Sequence, residues 1–216
     1  MNQDSSIRKY RDRIRVLLII YFFSEEFSGS NLKFVKLLKD EVRIQKIDFL
    51  IRYPDYLAYE LLELADEGEA DSETVQSIVK EIFQSNEPEI RKDEMERFFF
   101  GAWESIDDTI SFLMARGLIF FESKKHTDGK VGQKYYYLTQ DAKSKIDNGL
   151  STLPTITWYI DRCKLIKDYF GNFTGKELRV NQYKHPEYKN TPFKEYIVGI
   201  EDKVRDKYFQ LYNETL

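Results

Sequence analysis

A mainly α-helical fold carrying one β-hairpin is what the sequence predicts, on three observations. Apolar residues recur at helical spacing over most of the 216 residues. Gly and Pro together number only 15, against 16 Phe, 15 Tyr and 2 Trp, a balance that favours helices joined by ring packing over a turn-rich sandwich. Residues 118–138 alone switch to strand-type runs, separated by Asp128-Gly129 and Gly132. With 42% hydrophobic residues the chain can bury a core, which excludes a disordered, collagen-like or disulfide-scaffold protein.

The elements follow in order. Ile7 to Phe23 reads as a helix, with Tyr10, Ile14, Leu17, Leu18 and Tyr21 at helical spacing and Arg8, Arg11 and Arg15 on another face. Ser28-Gly29-Ser30-Asn31 breaks it. A second helix is expected from Leu32 through Arg52, bent near Asp40 to Arg43, and Pro54 forces the residue before it out of helical geometry. Tyr56 to Ala65 continues as a short helix. Ser72 opens another that runs to Phe83, and Asn86-Glu87-Pro88 marks a turn. Ile90 to Phe100 reads as helix or an ordered lead-in, and Ala102 to Arg116 as a helix with Trp103, Ile106, Ile110, Leu113 and Met114 inward, stopped by Gly117.

The next stretch carries the most local information. Leu118-Ile119-Phe120-Phe121 and Tyr135-Tyr136-Tyr137-Leu138 are strand patterns around a polar tip, and Thr139 caps a helix through Ala142 and Ile146. Helix, Arg-Gly-Leu-Ile, hairpin, Tyr-x-Leu-Thr and helix together spell a winged helix domain with a two-stranded wing. Additional helices flank it on both sides. After the connection Ser151 to Pro154, a helix spans Ile156 to Phe170, residues 171–192 read as a loop or extended arm, and Phe193 to Tyr212 closes as an amphipathic helix. The expected domains are residues 1–150, helical and winged helix, and residues 151–216, a helical extension.

Charge sharpens the function classes. The net charge of -4 argues against a free-standing nucleic-acid binder, which needs a surplus of Lys and Arg. Its distribution is uneven. Residues 1–52 hold 11 basic and 7 acidic groups, residues 60–96 hold 3 basic and 13 acidic, and residues 112–146 hold 7 basic and 3 acidic. The acidic stretch reads first as a solvated helix face and second as a dock for a basic partner. The longest apolar run, Val16 to Phe23, is far short of the roughly 20 residues of a membrane span.

Catalytic constellations are not found. The single Cys163 and the two histidines, His126 and His185, are too few for disulfides, a Cys-built zinc site or most metal centres, and a reducing cytoplasm is the compartment expected. Cys163 sits on an apolar helix flank and reads as a packed thiol. No phosphate-binding glycine loop, nucleophile elbow or metal-binding helix motif is present. Asp107 and Asp108 are adjacent on a helix, so they diverge and form no acid–base dyad. The chain is expected to be no enzyme and to need no cofactor, metal or small-molecule substrate. The basic wing is the best candidate contact: Lys124, Lys125, His126, Lys130 and Lys134 surround its tip, and each lysine there could meet a phosphate. Arg8, Arg11 and Arg15 form a second basic cluster. The helix before the wing offers Glu104, Asp107 and Asp108 where a base reader uses Arg, Asn or Gln, so sequence-specific recognition is disfavoured.

Two strings stand out together. Lys46-Ile47-Asp48-Phe49-Leu50-Ile51-Arg52-Tyr53-Pro54 resembles a K-L-x-F-L-x-R-Y-P segment, and Phe100-Gly101-Ala102-Trp103, followed by Leu113-x-x-Arg116-Gly117-Leu118-Ile119 and Tyr137-Leu138-Thr139, resembles a Y-G-P-W-D, L-x-x-R-G-L-[IV], Y-x-L-T series. Both belong to the middle components of bacterial ABC three-component systems, a family that includes the small subunit of Lamassu-type defence complexes. The resemblance covers residues 7–150, with Phe100 in place of Tyr, Ala102 in place of Pro and Glu104 where Asp is common. It implies a non-catalytic winged helix subunit of a structural-maintenance-of-chromosomes (SMC)-like complex acting against phage or plasmid DNA. Such a subunit bridges the heads of a coiled-coil ATPase and holds a nuclease effector, with the wing as a non-specific contact to double-stranded DNA. The alternative is a dimeric winged helix transcriptional regulator.

Overall fold

The computed structural model describes residues 3–99, 101–125, 131–149 and 152–216. In chain order its elements begin with α1 (Gln3–Phe23), β1 (Glu25–Glu26), β2 (Phe34–Leu38), α2 (Glu41–Arg52), α3 (Pro54–Asp66), α4 (Ser72–Gln84), α5 (Glu87–Ile90), β3 (Arg97–Phe98) and β4 (Gly101–Ala102). They continue with α6 (Asp107–Ala115), β5 (Ile119–Lys125), β6 (Val131–Thr139), α7 (Gln140–Asn148), α8 (Pro154–Phe170), α9 (Gly175–Gln182), α10 (Pro186–Asn190) and α11 (Glu201–Tyr212). The protein is mainly helical with a small antiparallel sheet.

The chain divides into two compact units, each built from two separate stretches. Unit 1 takes Met1–Ile44 and Ser105–Gly175; unit 2 takes Gln45–Glu104 and Lys176–Leu216. Both draw on residues from either side of 150, so the units are interleaved along the chain rather than consecutive.

Unit 1 centres on a four-stranded sheet in the order β1-β2-β6-β5, every neighbouring pair antiparallel. Side chains alternate across it, as strand geometry requires. Leu38, Ile119, Tyr136 and Leu138 point to the buried face, where α1 supplies Val16 to Ile20 and α6 supplies Ile110 and Leu113. Gly117 makes the turn from α6 into β5 possible: its φ of +67° lies where Cβ-bearing residues are strained, and the Gly117 and Leu118 amides cap α6 through Met114 O and Leu113 O at 2.9 and 3.0 Å. At the far end of the hairpin, Thr139 Oγ1 accepts from Ala142 N at 3.2 Å to cap α7 and donates to Leu118 O at 3.0 Å. One threonine thus ties the hairpin to the helix that follows it.

Unit 2 is arranged about α3, which begins with Pro54 in its first turn, where a missing N–H costs nothing. Tyr53, Tyr56, Leu57, Leu61 and Leu62 are buried, and Phe49 stacks on Tyr53 at 4.4 Å. Helix α4 brings Val75, Val79 and Ile82, with Asp71 as its N-cap accepting from Thr74 N at 2.9 Å; α11 adds Val204 and Tyr208.

Several expected elements differ. The second helix does not start at Leu32: residues 34–38 form β2, because Leu37 and Leu38 pair with Tyr137 and Tyr136 of β6, a partner about 100 residues away that local spacing cannot reveal. Of the two readings of the stretch after Ile90, helix or ordered lead-in, residues 91–96 follow the second and lead into β3, whereas Ala102 to Ser105 are not helical, since β3 and β4 pair through Arg97↔Ala102 and Phe98↔Gly101. Trp103 therefore packs on Phe98 at 5.1 Å rather than inside a helix, and Met114 is exposed. The expected loop at 171–192 contains α9 and α10. The last helix begins at Glu201, with residues 193–200 irregular before it.

Candidate functional site

Charge follows the two units. Unit 1 holds 19 basic and 14 acidic residues, a net of +5, and unit 2 holds 14 basic and 23 acidic residues, a net of -9. The excess of positive charge therefore lies in unit 1, which carries the β5–β6 hairpin expected to make the phosphate contact.

The structure separates the expected contact residues into groups. Lys124 is exposed on β5, with its ammonium 5.1 Å from the centre of the Tyr135 ring. Lys125 closes β5 opposite Val131, while His126 and Lys130 lie outside the described residues. Lys134 faces the other way. It pairs with Glu41 at the start of α2, and the same carboxylate accepts from the Tyr136 hydroxyl at 2.6 Å. Lys134 thus braces the hairpin against α2, and its ammonium is engaged within the protein rather than turned outward as expected. Burial and the neighbouring Glu41 charge both push the Tyr136 hydroxyl far up, so it stays a donor at ordinary pH.

The arginines of α1 divide similarly. Arg11 is exposed, Arg8 is half-buried and already engaged, and Arg15 is 2% exposed with its guanidinium on Asp12 at 2.7 Å. Arg15 is a correction: the helix face bearing it turns inward at the run Val16 to Ile20, so it is not a surface contact. Arg13 lies flat over the Phe112 ring, 3.7 Å from its centre, and links α1 to α6. On α6, Asp107 and Asp108 are exposed in the first turn, where the helix dipole favours them.

Sequence reasoning missed the outer face of the sheet. Phe34 of β2, Phe120 of β5 and Tyr137 of β6 form a ring cluster there, with centroids 5.0 to 6.0 Å apart, and Phe27 joins at 5.4 Å from Tyr137. Phe34 and Phe120 are stacked at 22°, and Tyr135 and Tyr137 at 19°. The signal was present in the alternation Gln133, Tyr135, Tyr137 along β6, but the rings opposite come from β2, read as helix.

A second arrangement lies inside unit 2, where the two strings flanking the acidic stretch meet. Lys46 Nζ donates to Ala102 O at 2.8 Å and to the Tyr188 hydroxyl at 3.1 Å, and that hydroxyl accepts from Ala102 N at 2.6 Å and donates to Gln182 Oε1 at 3.1 Å. Gln45 holds Glu104 at both ends, from Nε2 to Glu104 O at 2.7 Å and from Glu104 N to Oε1 at 3.1 Å. Arg52 pairs with Asp48, Asp93 and Glu104 and donates from Nε to Asp93 O at 2.6 Å. Burial, helped by the Arg179 charge, lowers the Lys46 ammonium to about 7. Every group here faces a protein partner, and Lys46, Tyr188 and Arg52 are closed off from solvent, so the arrangement fixes backbone rather than exposing a reactive atom.

The remaining chemical groups are also structural. His185 Nε2 lies 2.9 Å from Glu60 Oε1, between the Tyr56 and Tyr59 rings, and begins α10. Cys163 is a buried thiol on α8. Among the described residues no group of three or more His, Cys, Asp or Glu could hold a metal ion, and no helix is long and apolar enough to cross a membrane. Unit 2 also carries an exposed aromatic patch, in which Phe99, 72% exposed, and Phe193 pack at 4.7 Å.

Comparison of the chain with protein-family models, with curated proteins and with solved structures finds no match.

Proposed function

We propose that the protein is a non-catalytic accessory subunit of an SMC-like ATPase defence complex in the cytoplasm, bridging the coiled-coil ATPase and a nuclease effector. In this reading unit 1 is a winged helix into which the first stretch of unit 2 is inserted. The order β2-β6-β5, preceded by α1 and fed by α6, supports that reading, because it places the first strand beside the last as a wing requires. The observation that carries the function is the partition of charge. A basic unit bearing an exposed Lys124 suits DNA, and an acidic unit with an exposed aromatic patch suits a protein partner. Within unit 2, the string at 46–54 and the start of the second series at 101–104 are joined by Lys46, Gln45 and Arg52, which supports a framework role for them rather than a reaction centre.

The regulator reading is weaker. Helix α6, which stands where a groove reader would, carries the sequence DDTISFLMA and so has no Arg, Lys, Asn or Gln. Co-expression with the products of the adjacent genes tests the proposal: a stable assembly containing a long coiled-coil ATPase is expected. A chain that purifies alone as a monomer from that co-expression overturns it.

A further inference from the structure

We infer that the outer face of the unit 1 sheet is a stacking platform for unpaired bases, so that this unit binds single-stranded nucleic acid in preference to duplex. The inference rests on the proposed nucleic-acid role of the wing for its phosphate contact, and adds the class of nucleic acid.

The face has the two components such a platform needs, ring surfaces for bases and cations for the backbone. Phe34, Phe120 and Tyr137 come from three adjacent strands, and their ring planes differ pairwise by 22°, 31° and 47°. Phe120, the second residue of β5, is 44% exposed, and the helices of unit 1 supply buried residues to the opposite face of the sheet. The tyrosine hydroxyls are held along the sheet: Tyr135 donates to Gln133 Oε1 at 3.0 Å and Tyr137 to Glu122 Oε2 at 3.4 Å. Their rings are thereby positioned before any ligand arrives, which lowers the ordering cost of binding. Lys124 supplies the cation on the same face, over Tyr135.

Complementarity of charge decides the occupant. The platform belongs to the unit of net +5, so an apolar protein surface or a second copy of the same basic unit is a poorer fit than a polyanion with π-faces. Duplex DNA hides its base faces and would use only Lys124. A single strand uses rings and cation together, with about two or three bases over the cluster.

Fluorescence anisotropy of the full chain tests this, using a labelled oligothymidylate of roughly 20 nucleotides and a mixed-sequence duplex of equal length at low salt. The oligothymidylate is expected to bind about fivefold tighter or more, and Phe120→Ala to weaken it about tenfold. Phe120→Trp should keep the affinity and lose indole fluorescence on binding, a signature of stacking that a merely structural role would not give. If Phe120→Ala fails to fold by circular dichroism, Phe120→Leu and the indole signal decide, and an unquenched indole overturns the platform. Equal affinity for both oligonucleotides, lost with Lys124→Glu but kept with Phe120→Ala, overturns the platform and leaves the wing contact standing. Binding to neither overturns both. A dimer in sedimentation that Phe120→Ala dissociates would make a second copy the occupant and overturn the inference.

Discussion

At the scale of single residues, two of the three positive-φ glycines among the described residues do different work. Gly101 has φ of +92°, and a Cβ there would overlap the Tyr188 hydroxyl. Gly117 has φ of +67°, with nothing within 4 Å of such a Cβ. Gly117→Ala therefore meets only backbone strain, about 1 kcal/mol, whereas Gly101→Ala adds a clash inside a close-packed polar group and should cost about 3 kcal/mol or more. Urea unfolding of the two variants checks the contrast, and equal losses would contradict it. Lys46, bonded to the same Tyr188 hydroxyl, makes a second prediction. Its ammonium is lowered to about 7 in the fold, from 10.5 in the unfolded chain. Between those values the unfolded state binds the extra proton, so stability should rise as pH climbs from 7, by at most ~1.4 kcal/mol per unit. Below 7 both states are protonated and the contribution is flat. Above 10 the buried Tyr53 and Tyr188, whose hydroxyls are held well up by burial, begin to act in the opposite sense. Unfolding free energies at pH 7 to 9.5 should climb in the parent and flatten in Lys46→Met; parallel slopes would refute the assignment.

At the scale of elements, the start of α11 is capped from α3 by one side chain. Asp55 Oδ2 accepts from Ile200 N at 2.6 Å, a cap supplied from another helix, while Tyr53 and Tyr56 donate to Ile197 O and Val198 O at 2.9 and 3.1 Å. Burial raises the Asp55 carboxyl, so its charge is a cost that the cap offsets. Asp55→Asn keeps an acceptor and sheds the charge, and should leave stability at pH 7 within about 0.5 kcal/mol or improve it; Asp55→Ala should cost about 2 kcal/mol. Thermal melts that rank the two variants the other way would show that the charge itself matters. This cap also shows where the sequence stops being legible. Helices α1, α3, α4, α7 and α8 and the 119–139 hairpin follow from local periodicity, caps and turn residues, all within one element. Strand β2 pairs with β6, β3 pairs with β4, and residues 193–200 are held by backbone bonds to Met95 and Arg97 and by Asp55. Their signals sit in residues remote along the chain, and propensity over a short window points elsewhere. The candidate contacts fared similarly: Lys124 was legible as exposed, but the pairings of Lys134 with Glu41 and of Arg15 with Asp12 were not.

At the scale of the whole molecule, net charge is the wrong variable and its partition the right one. A chain of -4 should repel DNA, yet the unit bearing the β5–β6 hairpin is at +5 and the other at -9, and exposed charges more than about 10 Å apart are screened from one another at 0.1 M salt. Phosphate binding should then depend on where a charge sits and hardly on the total. Two reversals make the test, since each changes the net charge equally: Lys124→Glu on β5, and Lys184→Glu, exposed after α9 in the acidic unit. For a duplex probe in a salt titration, Lys124→Glu should weaken binding about five- to tenfold and lower the log–log salt slope by about 1, because one phosphate is no longer neutralised. Lys184→Glu should leave both within about twofold and 0.2 respectively, because no counterion is released there. Equal effects from the two variants would mean that the molecule's overall field governs the encounter, and the assignment of DNA binding to unit 1 would fall with it.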